Sequence, residues 1–326
     1  MAVINASSEV YNLCAHRALN YFRSQGYEAI LSDHVNLFTL KASRFIFSII
    51  FTYDILNLIP QVLLVKDRGA EVEIGGPGAT AMPDYIEQVT GGVRPYAGLD
   101  SRFENFPGEY EGTFSSRGCP RSCPFCLVPR LEGRRIVEIP DFPIPVGPNP
   151  KLLDNNILAT SWSHQQKVVG RLKGVRNLDV NSGWDCRIFA KDPERYWQLY
   201  NELNLDTWRL AYDVPEEREP VGQCIRFLRS KGVDYRRITV FALIGYPGQT
   251  FDECLEKLQY LVNMECSPYP MRYRPLDALT RNYVAPGWTA GQVEGLFGYF
   301  GVPWVWRSCT WDEYVADSDT STILTL

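Results

Sequence analysis

Histidine is scarce: three in 326 residues, His16, His34 and His164, isolated from one another and from the cysteines. That scatter excludes a zinc site completed by a neighbouring histidine. Long apolar runs are missing too. The longest stretch, 45–64, is broken by Ser48, Thr52, Asp54, Asn57, Pro60 and Gln61, which excludes a membrane-spanning helix. The opening MAVINASSEVYN has no basic region followed by an apolar one, so no secretory signal is expected. There is no excess of positive charge. Lys plus Arg is 33 against 38 Asp plus Glu, a net charge of −5, which gives no bulk attraction for nucleic acid or anionic lipid.

What is present is ordinary globular composition, 45% hydrophobic and 22% charged, which excludes a disordered chain, a collagen-like repeat and a disulfide mini-scaffold. At ~150 residues per domain the length predicts two domains. The unusual feature is cysteine: three of the nine, Cys119, Cys123 and Cys126, lie within eight residues. With no signal segment, a cytoplasmic, reducing setting is expected, where clustered thiols are more often metal ligands than disulfides. The other six (Cys14, Cys186, Cys224, Cys254, Cys266, Cys309) are scattered, and each is expected to be a buried, inert thiol.

Along the chain, strand and helix alternate. Segments 2–4, 28–31, 44–51 and 71–74 read as strands, with helices at 11–25 and 55–66. Glycine at strand ends, as in Gly75-Gly76-Pro77-Gly78, fits a doubly wound parallel sheet over residues 1–95. A connector, 96–111, follows. Alternation resumes over 112–300, with strands at 113–116, 152–158, 177–181, 207–212, 238–244 and 271–274. Helices are expected at 164–173, 193–203, 217–231, 251–264 and 290–300. Ser163 with Gln166, Thr250 with Glu253 and Thr289 with Gln292 fit capping boxes, and Asp192 before Pro193 fits an N-cap. About six strand–helix units make a partial (β/α)6 TIM-type barrel. Residues 301–326 form a C-terminal tail, polar and expected to be loose after Trp311.

Cys119-Pro-Arg-Ser-Cys123-Pro-Phe-Cys126 is a CxxxCxxC array directly after the first barrel strand. Three thiolates on one short loop can hold three irons of a [4Fe–4S] cluster and leave the fourth open to a ligand. Zinc normally takes four protein ligands, and no fourth is nearby. With Phe125 before the last cysteine, the array resembles that of the radical S-adenosylmethionine superfamily. The resemblance implies a cluster that binds S-adenosylmethionine and cleaves it to a 5′-deoxyadenosyl radical, fed by an external one-electron donor of the flavodoxin or ferredoxin type. It spans about 112–300.

The same resemblance implies further contacts. In 242–250, Ala-Leu-Ile-Gly-Tyr-Pro-Gly-Gln-Thr is similar to the family's fifth-strand element, which places Ile244 and the Gly245 backbone near adenine. Asp154, Asn155 and Asn156 stand where the family often carries Gly-Gly-Glu against the methionine amino group. An Asx turn is the plain alternative. Asn181 and Ser182 end the third strand and fit ribose or methionine contacts, or loop solvation. Arg187 fits a clamp on the carboxylate, or an ion pair. Cys186, Asp213 and Tyr212 are weaker candidates for catalytic roles, with inert thiol and core packing as the plain readings for the first and last.

Residues 66–80, containing Gly75 and Gly76, resemble the late strand and loop of the cobalamin-binding domain that precedes many such barrels. The Asp-x-His-x-x-Gly motif for the lower cobalt ligand is absent, since Asp33 and His34 are adjacent. Binding of cobalamin and loss of it are both compatible with these residues. Methyl transfer or radical rearrangement is therefore the first expected reaction. The second is methylthio transfer to tRNA or protein. The stretch after Cys126, Leu-Val-Pro-Arg-Leu-Glu-Gly-Arg-Arg, is similar to the methylthiotransferases, but those carry three N-terminal cysteines where this chain has Cys14 alone, and an RNA-binding module beyond the barrel. A non-catalytic iron–sulfur or zinc protein is the third. The substrate is not legible.

Overall fold

The structure, a computed structural model, describes residues 1–317. It is mixed α/β with parallel sheets and divides into two compact units: 1–155 with 275–281, and 156–274 with 282–317.

The first unit begins with β1 (Ala2–Asn5), α1 (Leu13–Ser24), β2 (Ile30–Ser32), β3 (Arg44–Ser48), α2 (Ile55–Asp67) and β4 (Glu71–Gly75). These strands form a parallel sheet in the order β2-β1-β3-β4. Burial explains it. Ala2, Ile4, Phe45, Phe47 and Ile74 pack with Ile55, Leu58, Val62 and Val65 of α2 on one face. Val3 and Ile46 pack with Ala15, Ala18, Leu19 and Phe22 of α1 on the other. The order reverses at β1 and β3, the place where such sheets open a crevice. Two short helices follow, α3 (Pro77–Ala81) and α4 (Pro83–Val89), where sequence suggested only a glycine turn.

The expected strand 113–116 is two strands, β5 (Gly112–Thr113) and β6 (Ser116–Arg117). Ser115 donates to Asp154 rather than to a ladder, so the chain changes partners there. Helix α5 (Val128–Leu131), β7 (Val137–Glu138) and β8 (Lys151–Leu152) complete this unit. β5 pairs with β8 in parallel, and β6 pairs with β7 antiparallel. The expected strand 152–158 ends at Leu152 and gives way to a 3-10 turn at Ile157–Ala159, because the intervening Asp-Asn-Asn run commits its side chains to hydrogen bonds with distant segments.

The second unit carries α6 (Trp162–Leu172), β9 (Asp179–Val180), α7 (Cys186–Phe189), α8 (Pro193–Tyr200), β10 (Trp208–Ala211), α9 (Arg218–Ser230), β11 (Ile238–Ile244), α10 (Phe251–Asn263), β12 (Ser267–Arg272), α11 (Ala290–Phe300), α12 (Pro303–Ser308) and α13 (Trp311–Asp317). β10, β11 and β12 form a parallel sheet, and parallel bridges Leu178–Leu205 and Trp184–Leu210 continue it past β10. The Thr250 and Thr289 capping boxes and the Asp192 cap are present. Ser163 is not a cap: Ser161 holds the His164 amide, and α6 starts two residues early. β12 begins at Ser267, before the expected 271, because Pro268 and Pro270 sit on a strand with a single partner, β11, where a missing donor is tolerated. The tail is not loose as far as it is described. α13 stacks Trp311 on Phe300, 6.0 Å between centroids, and residues 318–326 lie outside the described residues.

Candidate functional site

Cys119, Cys123 and Cys126 lie on the loop between β6 and β7, all half-buried. Its base is closed by several independent contacts. The β6–β7 pair brings Arg117 opposite Val137. Cys119 N donates to the Gly133 carbonyl at 3.3 Å. Gly118 has φ +84° and passes so close to the Arg135 carbonyl that a Cβ would collide with it. Inside the loop, Cys126 N donates to the Cys123 carbonyl at 3.1 Å. Phe125 is half-buried between them.

Among the described residues no three Cys, His, Asp or Glu side chains converge to hold a single metal ion. A [4Fe–4S] cluster asks something different of its donors, because each thiolate takes its own iron and the sulfurs stay apart. Three half-buried thiols on a loop with a fixed base fit that donor set.

Asp154 lies 1% exposed beneath this loop. It accepts from Ser115 N, Ser115 Oγ and Ser116 Oγ, each at 2.6 Å. Burial raises its pKa, and those donors oppose the shift. Its oxygens are thus committed to the strand that leads into the cysteines. Asn155 Nδ2 donates to Glu132 Oε2 at 2.7 Å. Glu132, 3% exposed, also takes Gly118 N at 2.8 Å and Arg117 Nη1 at 2.9 Å. Arg117 continues to Glu104 at 2.5 Å, and Glu104 to the buried Arg17 of α1 at 3.7 Å. Sequence reasoning passed over Glu132. Its signal was there: it is the one acid between Glu111 and Glu138, among Arg117, Arg121, Arg130, Arg134 and Arg135.

In the second unit the C-terminal ends of β10 and β11 carry the other candidates. Ile244 is fully buried and Gly245 takes φ +69°. Asp213 Oδ1 accepts from Leu243 N at 3.2 Å, and Asp213 N donates to Glu217 Oε2 at 2.7 Å. Burial, then the charge of Glu217, lifts the Asp213 carboxyl to about 6. Lys257, 7% exposed, donates to the Leu243 carbonyl at 2.7 Å, and burial lowers its pKa. Arg187 reaches Glu217 at 3.2 Å and Asp185 at 3.4 Å, and Asn156 Nδ2 donates to Asp185 at 2.9 Å. Glu217 and Lys257 carried no sequence signal beyond helical spacing. Tyr212, 4% exposed, packs on Tyr260, and burial raises its pKa. Cys186, 2% exposed, contacts the Ala211 carbonyl at 3.6 Å, and burial pushes its thiol up to about 12. Asn181 and Ser182 are exposed just after β9.

At the crevice of the first sheet, polar side chains bind one another. Asn12 Nδ2 donates to Asn5 Oδ1 at 2.9 Å, Ser48 Oγ pairs with Asn12 Oδ1 at 3.1 Å, and Ser7 Oγ pairs with Asp54 at 2.5 Å. A Cβ on Gly76 would strike the Ile49 carbonyl, so this glycine serves backbone packing, while Gly75 has only Tyr96 near. These contacts satisfy the polar groups of the crevice among themselves. Among the described residues no helix is long and apolar enough to cross a membrane.

No protein-family model matches the chain. It is similar to the ribosomal protein uS12 methylthiotransferase RimO of Chlorobium limicola, 23% identical over 253 residues, covering 66% of this chain and 57% of that protein. The chain thus spans little more than half the length of this curated relative. Among solved structures it is similar to the radical S-adenosylmethionine methyltransferase TsrM of Kitasatospora setae, with tryptophan and aza-SAM bound. That likeness has a TM-score of 0.47 at 10% identity, over 83% of this chain and 72% of the other. In its CxxxCxxC loop and its similarity to RimO, the chain resembles the radical S-adenosylmethionine superfamily.

Proposed function

We propose that this protein is an enzyme that cleaves S-adenosylmethionine reductively, with Cys119, Cys123 and Cys126 holding a [4Fe–4S] cluster. The observation that carries the reading is the three-cysteine loop, pinned at its base by the antiparallel β6–β7 pair that flanks it. When bound there, such a cluster would supply S-adenosylmethionine with a chelating site and with one electron from an external donor for cleavage of the sulfonium. The protein's own residues do the holding. Asp154 anchors Ser115 and Ser116 ahead of the loop, and Asn155 presents an amide whose nitrogen is already taken by Glu132. Ile244 and Gly245 supply an apolar surface and backbone for adenine. Arg187, Asn156, Asn181 and Ser182 supply polar groups for the methionine and ribose parts. In this reading residues 1–95 form a Rossmann-like domain, 96–111 a linker, 112–300 a partial barrel and 301–326 a tail.

The reduced, iron-loaded chain is expected to release 5′-deoxyadenosine from S-adenosylmethionine. Cys119→Ala, Cys123→Ala and Cys126→Ala should each abolish that release. Intact S-adenosylmethionine after incubation with the reduced, loaded protein overturns the proposal.

Methylthio transfer is the second reading, favoured by the similarity to RimO, whose name gives ribosomal protein uS12 as its substrate. A methylthio group on a protein acceptor supports it. S-adenosylhomocysteine with a simple methylated product supports methyl transfer instead.

A further inference from the structure

We propose that Glu132 is a positioning residue that closes the cysteine loop and sets the amide of Asn155. The proposal rests on the cluster reading above. Glu132 takes three donors from two separate segments: Arg117 Nη1 and Gly118 N, consecutive residues just before Cys119, and Asn155 Nδ2 beyond β8. The residue itself stands six positions after Cys126. One carboxylate therefore ties the way into the loop, the way out of it, and the end of the neighbouring strand.

The chemistry requires an ionised carboxylate. All three partners are donors, two on one oxygen and one on the other, and a charged acceptor forms the stronger hydrogen bonds. At 3% exposure water cannot replace it, so its removal leaves Gly118 N and Arg117 without this acceptor in a closed place. The Asn155 amide is oriented by the same contact. With its nitrogen committed to Glu132, its oxygen remains for a donor such as an ammonium group. Glutamine has the same shape but a single acceptor oxygen, and its amide nitrogen would face donors.

The test compares full-length wild type, Glu132→Gln and Glu132→Ala. Three readouts apply: iron loss to a chelator, tryptic cleavage of the iron-free chain at Arg130, Arg134 and Arg135, and S-adenosylmethionine affinity in the oxidised, loaded protein. Glu132→Ala should lose iron about tenfold faster and be cut faster at those arginines. Glu132→Gln should fall between on both, and should bind S-adenosylmethionine about tenfold more weakly as the Asn155 amide turns over. A global loss of stability would instead speed cleavage at distant sites such as Arg226 and Arg236 equally. That result, or wild-type values on all three readouts, overturns the proposal. If wild type takes up no iron and sulfide, the cluster reading fails, and the tryptic comparison still decides whether Glu132 clamps the loop.

Discussion

Asp213 shows how one buried carboxyl links the fold to pH. Its pKa rises from 3.8 to about 6, first through burial and then through Glu217. Between those values the folded chain keeps a proton that the unfolded chain has lost. Stability contributed by this group is therefore full at low pH and declines as pH rises toward about 6. Asp213→Asn keeps an acceptor for Leu243 N and cannot titrate. Urea unfolding across that window should show part of the wild-type decline flattened in the variant. An unchanged slope would place the pH dependence elsewhere. Asp154 is shifted in the same direction, but its three donors make it an anchor.

At the level of elements, the closed base of the cysteine loop depends on Gly118 as much as on Glu132. Its positive φ is costly for an alanine, and the Arg135 carbonyl occupies the place of a Cβ. Gly118→Ala should open the β6–β7 end and lower iron retained after gel filtration several-fold, with the far-ultraviolet circular dichroism unchanged. Full retention of iron would show that the loop does not need this close approach. The helices were largely legible in the sequence because their caps are local chemistry: Thr250 with Glu253 needs only four residues to declare itself. Strand ends were less so. Ser115 leaves the ladder for Asp154, 39 residues away, and no local pattern encodes that. Pro268 and Pro270 concealed the start of β12, since an edge position is a fact of pairing.

Across the molecule seven of the nine thiols fall into two distinct environments, while Cys14 and Cys309 are half-buried rather than buried as expected. Cys186, Cys224, Cys254 and Cys266 are buried, and burial raises the pKa of each, so their reactive thiolate is scarce. Cys119, Cys123 and Cys126 are half-buried on the loop. Brief alkylation of the iron-free protein, read by peptide mass spectrometry, should label these three well before the four buried thiols, and iron loading should protect them. Labelling of Cys224 or Cys266 at the same rate would contradict the division. The loop cysteines were visible in sequence because their ligand spacing is contiguous. The charged partners that hold the loop were not, because Arg17, Glu104, Arg117 and Glu132 are brought together only by folding.

That chain of alternating charge starts on the first helix and ends at the cysteines. Its two cations and two anions cancel, so its members depend on one another rather than on counterions. A shortened protein lacking the first sheet and helix would keep Glu104 and lose Arg17, which upsets that balance. The segment that carries none of the three loop cysteines thus forms part of their loop's foundation.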